Sequence, residues 1–154
     1  MKKLFKGIGF ALLAFVVANA AFAAGERGTA DEAVAMVKKA VAYMKEHGKD
    51  KAFAAFADTN NKEFHDRDLY LFVYDFNGVA VAHGNNPKMV GKNLIDMKDS
   101  DGKAIIRGFI DIANTKGKGW FDYKWPNPVT KAVEQKSGYV EKVDGLIIGS
   151  GIYK

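Results

Sequence analysis

Apolar positions follow a helical period from residue 29 and an alternating one from residue 69, so the pattern predicts helices first and strands later. Thr29 and Glu32 have capping-box spacing, Val34, Val37, Val41 and Met44 then share one helical face, and Gly48 supplies a stop. Residues 49–58, with Phe53 and Phe56 three apart, predict a shorter helix closed by the polar turn of residues 58–61. Residues 69–74 are β-branched and aromatic, Asn77-Gly78 is a hairpin signal and residues 79–83 return, which predicts an antiparallel pair. A Gly- and Pro-punctuated loop over residues 84–96, with a short helical turn, follows.

The helical period then comes back over residues 103–115, with Ile106, Phe109, Ile110 and Ala113 as its buried stripe and Asp99, Ser100 or Asp101 as its cap. Lys103, Arg107 and Asp111 form its polar row, which predicts an Arg107–Asp111 surface pair, and Gly117 ends it. Three strands close the chain, at residues 119–125, about 133–143 and 146–153. Pro126 and Pro128 make a loop of the first gap, since neither can donate to a ladder, and Asp144-Gly145 makes the second a tight hairpin. The expected architecture is an α+β domain on one antiparallel sheet, with the helices on one face.

The first residues obey a different logic. Lys2, Lys3 and Lys6, the apolar run 8–18 and Ala21-Phe22-Ala23 form the three parts of a secretory signal peptide, residues 1–23. The expectation is a single domain over residues 24–154 in the periplasm, with a membrane contact only if the leader is retained. Of the net charge of +5, from 23 basic and 18 acidic residues, the leader carries three lysines and no acid, which leaves 20 − 18 = +2. That balance, with Lys interleaved among Asp and Glu, argues against a nucleic-acid partner. The absence of cysteine removes disulfides, thiol catalysis and covalent haem attachment. The acidic tract 96–102 fails as a calcium loop, because Gly102 at the sixth position places Met97 at the first. With no His pair for a metal and no nucleophile beside a base, neither a cofactor nor an enzyme is expected.

What remains is a set of residues suited to a concave aromatic pocket. In the strand 119–125, Trp120, Asp122 and Lys124 share one face and Phe121, Tyr123 and Trp125 the other, and the charges mark the second as the more buried. Tyr123 adds a phenol that needs a partner when buried. Lys136 and Tyr139 could converge on a carboxylate if a bulge at Gly138 turned them to one side. Tyr70 and His83, from the hairpin strands, and Trp120 complete the candidates, while His47 and His65 read as surface residues.

The runs 75–83 (DFNGVAVAH), 86–94 (NPKMVGKNL), 101–102 (DG), 119–126 (GWFDYKWP), 137–140 (SGYV) and 148–153 (IGSGIY) together resemble the single Cache domain family. These are extracytoplasmic PAS-like sensor domains of chemoreceptors and histidine kinases. The resemblance implies a five-stranded antiparallel sheet, a long N-terminal helix packed across it, and a pocket for a small organic ligand such as a short carboxylate. Gly84 stands where such domains often carry Pro. Such sensors continue into a second membrane helix, whereas this sequence stops at Lys154, so the expected form is a stand-alone member acting through a separate membrane receptor or sensor kinase. The alternative is an interaction protein that keeps the fold without a ligand.

Overall fold

The computed structural model describes residues 27–154, and the expected leader lies outside them. Helix α1 (Ala30–His47) opens with the full capping box: the Thr29 hydroxyl accepts from Glu32 N and the Glu32 carboxylate accepts from Thr29 N. It ends where Gly48 takes φ 84°, and α2 (Lys49–Ala57) follows at once. Its buried stripe is Ala33, Met36, Val37, Ala40 and Met44, with Val34 and Val41 half-buried, so the helix is rolled slightly from the expected Val face.

The strands are β1 (His65–Asp66), β2 (Leu69–Tyr70), β3 (Phe72–Asp75), β4 (Ala80–His83), β5 (Lys118–Pro126), β6 (Val133–Val143) and β7 (Leu146–Tyr153). The main sheet runs β4-β3-β7-β6-β5 with every neighbouring pair antiparallel. The expected 69–74 strand is split at Leu71, and its first part instead forms a two-stranded ribbon with β1. The Asn77-Gly78 hairpin forms, widened by an irregularity between Val73 and Tyr74. Asp144 and Gly145 both take positive φ, 49° and 77°, the geometry a tight two-residue hairpin requires.

Two expectations need correction. Helix α3 (Ile105–Thr115) begins at Ala104 without a side-chain cap, because Asp99 is used elsewhere: its carboxylate accepts from the backbone of Asp101, Lys103 and Lys124 and ties the loop to β5. The helices also do not share a face. Alternate residues of β7 separate the two sides, Ile148 packing with α1 and α2 and Ile147 with α3, so the sheet carries a hydrophobic core on each face. The sequence pattern shows that α3 is amphipathic but not which face of the sheet it covers.

Candidate functional site

Tyr123, Lys136 and Tyr153 are direct cross-strand partners on β5, β6 and β7, which places the three side chains in a row on the α3 face. Lys136 is fully buried. Its Nζ donates to Tyr70 Oη at 2.9 Å and Tyr153 Oη at 3.3 Å, and lies 4.0 Å from the Tyr70 ring centre and 4.7 Å from that of Tyr153. The Tyr153 hydroxyl passes its hydrogen to Pro126 O at 2.8 Å. The glycines of the last strand make this possible: a Cβ at Gly151 would sit 2.8 Å from Lys136 Cε, and one at Gly149 2.3 Å from the Phe72 ring.

Burial controls the charge states. It pushes the Lys136 ammonium down to about 7, opposed by the charge of Asp68, and pushes the phenols of Tyr70, Tyr123 and Tyr153 up, so these stay neutral hydroxyls. Lys136 is thus a buried amine that burial brings to the edge of losing its proton near neutral pH, with phenols and aromatic faces where a carboxylate would ordinarily sit. His83 Nδ1 accepts from the backbone of Asn85 and Asn86 at 3.3 and 3.0 Å, which leaves the hydrogen on Nε2. Burial and then the Lys136 charge hold this imidazole at about 3, neutral at any ordinary pH.

Of these groups Tyr70, His83 and Tyr123 border a narrow cavity of about 10 Å³, room for about one water molecule. Tyr70, Tyr74, His83, Tyr123 and Trp125 give it hydroxyl, imidazole and indole donors, and Phe72, Phe109, Ile105 and Met97 an apolar wall. The rings hold one another: Phe72 stacks on Phe109 at 5.2 Å, and Tyr123 meets Phe109 edge-on at 5.5 Å. Lys136 itself stands behind Tyr70, one phenol away from the open space. Among the described residues the cavity lining offers hydrogen-bond donors and no carboxylate, and no cluster of three or more His, Cys, Asp or Glu could hold a metal.

A family model described as the Cache domain matches residues 27–154. The chain belongs to the Cache domain family. This Cache domain is 32% identical over 91 residues, 58% of its length, to the methyl-accepting chemotaxis protein McpP of Pseudomonas putida, covering 17% of that protein. It is 34% identical over 89 residues, 56% of its length, to the sensor histidine kinase MctS of Rhizobium johnstonii, covering 19%. The chain therefore spans under a fifth of the length of the curated relatives it matches. Among solved structures, a methyl-accepting chemotaxis protein from Vibrio parahaemolyticus has TM-score 0.71 at 29% identity, over 80% of this chain and 86% of that one. A Cache chemosensory domain described for carboxylic acid recognition has TM-score 0.70 at 22% identity, over 90% and 99%, a likeness of fold. The curated relatives are thus a chemotaxis protein and a sensor histidine kinase, and the Vibrio parahaemolyticus structure is again of a chemotaxis protein.

Of the residues proposed from sequence, this Cache domain brings Tyr70, His83, Tyr123, Trp125 and Lys136 together. Trp120 and Tyr139 lie on the other face. The β5–β6 register runs unbroken from Lys118↔Glu141 to Pro126↔Val133, so the bulge expected at Gly138 is absent, and Lys136 and Tyr139 point to opposite sides. Gly138 has a different task, since a Cβ there would press at 3.1 Å on the Tyr123 ring. Tyr139 packs with α1 and donates to Glu141 at 2.6 Å, and Trp120, 40% exposed, leans on it at 5.2 Å. Arg107 pairs with Asp96 rather than Asp111. His47 is exposed, as expected, but His65 is half-buried, its ring stacked 6.3 Å from that of Tyr70. Sequence reasoning missed Tyr153, although its alternation with Gly151 and Gly149 on one strand face was a usable signal.

Proposed function

We propose that this Cache domain is a periplasmic receptor module for a small organic carboxylate, which it binds at Lys136 and reports through a separate membrane receptor or sensor kinase. The observation that carries the reading is the Lys136 ammonium, fully buried yet bonded to phenols instead of an anion. A ligand carboxylate supplies the missing counter-charge, and charge-assisted bonds of this kind are worth roughly 1.5–3 kcal/mol each. Tyr70 donates beside it, Tyr153 stays bonded to Pro126 O and holds the ammonium in place, and His83 Nε2, Tyr123 and Trp125 orient the remainder of the molecule. The solved Cache domain described for carboxylic acid recognition and the chemoreceptor and kinase relatives support this reading. The tightness of the cavity favours the smallest acids and requires Tyr70 to turn aside on binding.

The same tightness supports a second reading, an interaction protein whose pocket is filled by its own side chains. A thermal-shift screen of short carboxylates, amino acids, amines and purines separates the two. At 100 times its dissociation constant a ligand stabilises the fold by about 2.7 kcal/mol, so a selective rise with carboxylates is the expected result. No rise with any class would leave the interaction protein.

A further inference from the structure

Five tyrosines are buried, and three of them have their hydroxyls bonded within the fold: Tyr70 to Lys136, Tyr139 to Glu141 and Tyr153 to Pro126 O. Tyr74 and Tyr123, 3% and 4% exposed, are different. Among the described residues neither hydroxyl has a hydrogen-bond partner, and what acts on both is burial and the neighbouring phenols. Both side chains line the cavity. A hydroxyl that gives up water on folding and gains no partner costs free energy, so phenylalanine would serve the packing better at both positions unless something enters the cavity to bond them.

The two reach the cavity from strands with β7 and β6 between them, Tyr74 from β3 and Tyr123 from the edge strand β5. Both rings rest on Phe109 of α3, at 6.3 and 5.5 Å between ring centres. Gly138 lets the Tyr123 ring lie across β6, since a Cβ there would sit 3.1 Å from its Cε1 and 3.3 Å from its hydroxyl oxygen. That carries the hydroxyl inward from the sheet edge, toward Tyr74. Phe72, Met97, Ile105 and Phe109, which complete this part of the wall, offer no polar side chain to either phenol.

We propose that Tyr74 and Tyr123 form a second polar subsite, which selects acids carrying an oxygen beyond the carboxylate over unsubstituted acids of the same length. A phenol both donates and accepts, so the pair takes a hydroxyl or a carbonyl oxygen equally. The cavity has room for about one water, which sets that oxygen close to the carboxylate and points to 2-hydroxy and 2-oxo acids. An unsubstituted acid leaves both hydroxyls unbonded in a closed site, and that is where the discrimination arises. The proposal rests on the carboxylate being held at Lys136, and it adds Tyr74 to the residues of the site.

Calorimetry of the whole chain with lactate and propionate, which share one carbon skeleton, tests it. Wild type is expected to bind lactate about tenfold more tightly, the worth of about one neutral hydrogen bond. Tyr74→Phe and Tyr123→Phe should each weaken lactate more than propionate and close the gap. In the absence of ligand both variants should melt at or above the wild-type temperature, whereas Tyr153→Phe, which loses a bonded hydroxyl, should melt below it. Propionate binding as tightly as lactate in wild type overturns the subsite, and so does a lactate preference that survives both substitutions. A drop of several degrees in ligand-free Tm for Tyr74→Phe and Tyr123→Phe overturns it too, because the hydroxyls would then be bonded within the fold. Binding of neither acid overturns the carboxylate reading at Lys136 and the subsite with it. Equal binding of both acids that is lost in Lys136→Met removes the subsite alone and leaves that reading in place.

Discussion

The two faces of the sheet hold comparable numbers of buried side chains but different kinds. Against α1 and α2 the interior is Ala, Val, Leu, Ile, Met and Phe with Tyr139 bonded outward to Glu141, and the buried Ser150 hydroxyl donates to Tyr70 O at 2.9 Å. Against α3 it is Phe and Tyr around a buried lysine and a neutral histidine, with a cavity left open. The first face is packed for stability, where each fully buried large apolar side chain contributes about 1.5–3 kcal/mol. The second gives up part of that gain for polar groups that a ligand can complete.

The largest expected effect breaks the stability face. Phe56, fully buried and edge-on to Phe64 at 4.9 Å, should cost about 3–5 kcal/mol when cut to Ala, measured by denaturant unfolding. The recognition face should respond in the opposite direction. Lys136→Met removes a buried amine that has no hydrogen-bonded anion, and ligand-free stability is expected to rise by roughly 0.5–2 kcal/mol while carboxylate binding is lost.

The same lysine sets a pH signature. Its native value of about 7 lies below the ordinary 10.5, so between those limits the unfolded chain binds more protons and stability rises with pH. His83, near 3 against an ordinary 6.5, makes stability fall as pH drops through that window. Unfolding curves from pH 3 to 10 should show both slopes, and Lys136→Met should abolish the upper one and soften the lower, since the Lys136 charge adds to burial in holding His83 down.

The smallest effect tests the placement of the aromatic strand. Trp120→Ala is expected to cost only about 0.5–1.5 kcal/mol, the worth of its contact with Tyr139, and to leave ligand affinity unchanged. Reduced affinity in this variant would place the exposed face of β5 in the site.

Much of this division was legible in the chain. The capping box at Thr29, the strand alternation that set Tyr123 and Trp125 against Trp120, and the hairpin glycines all express local rules, and the structure follows them. Two things were not local. Which face α3 covers depends on the order in which strands join the sheet, and β7 enters between β3 and β6. The partners of Lys136 come from Tyr70 and Tyr153, 66 and 17 residues away, and strand periodicity alone could not choose between a straight β6 and a bulged one. Tyr139 was drawn into the candidate site by that ambiguity.

The central claim is that Lys136 is the anion-binding group of the recognition face. Isothermal calorimetry of the best carboxylate from the thermal screen, run against wild type and a folded Lys136→Met variant at pH 6, tests it most directly. The account predicts one-to-one binding in the wild type and no measurable heat in the variant. Equal affinity in the two proteins would contradict it.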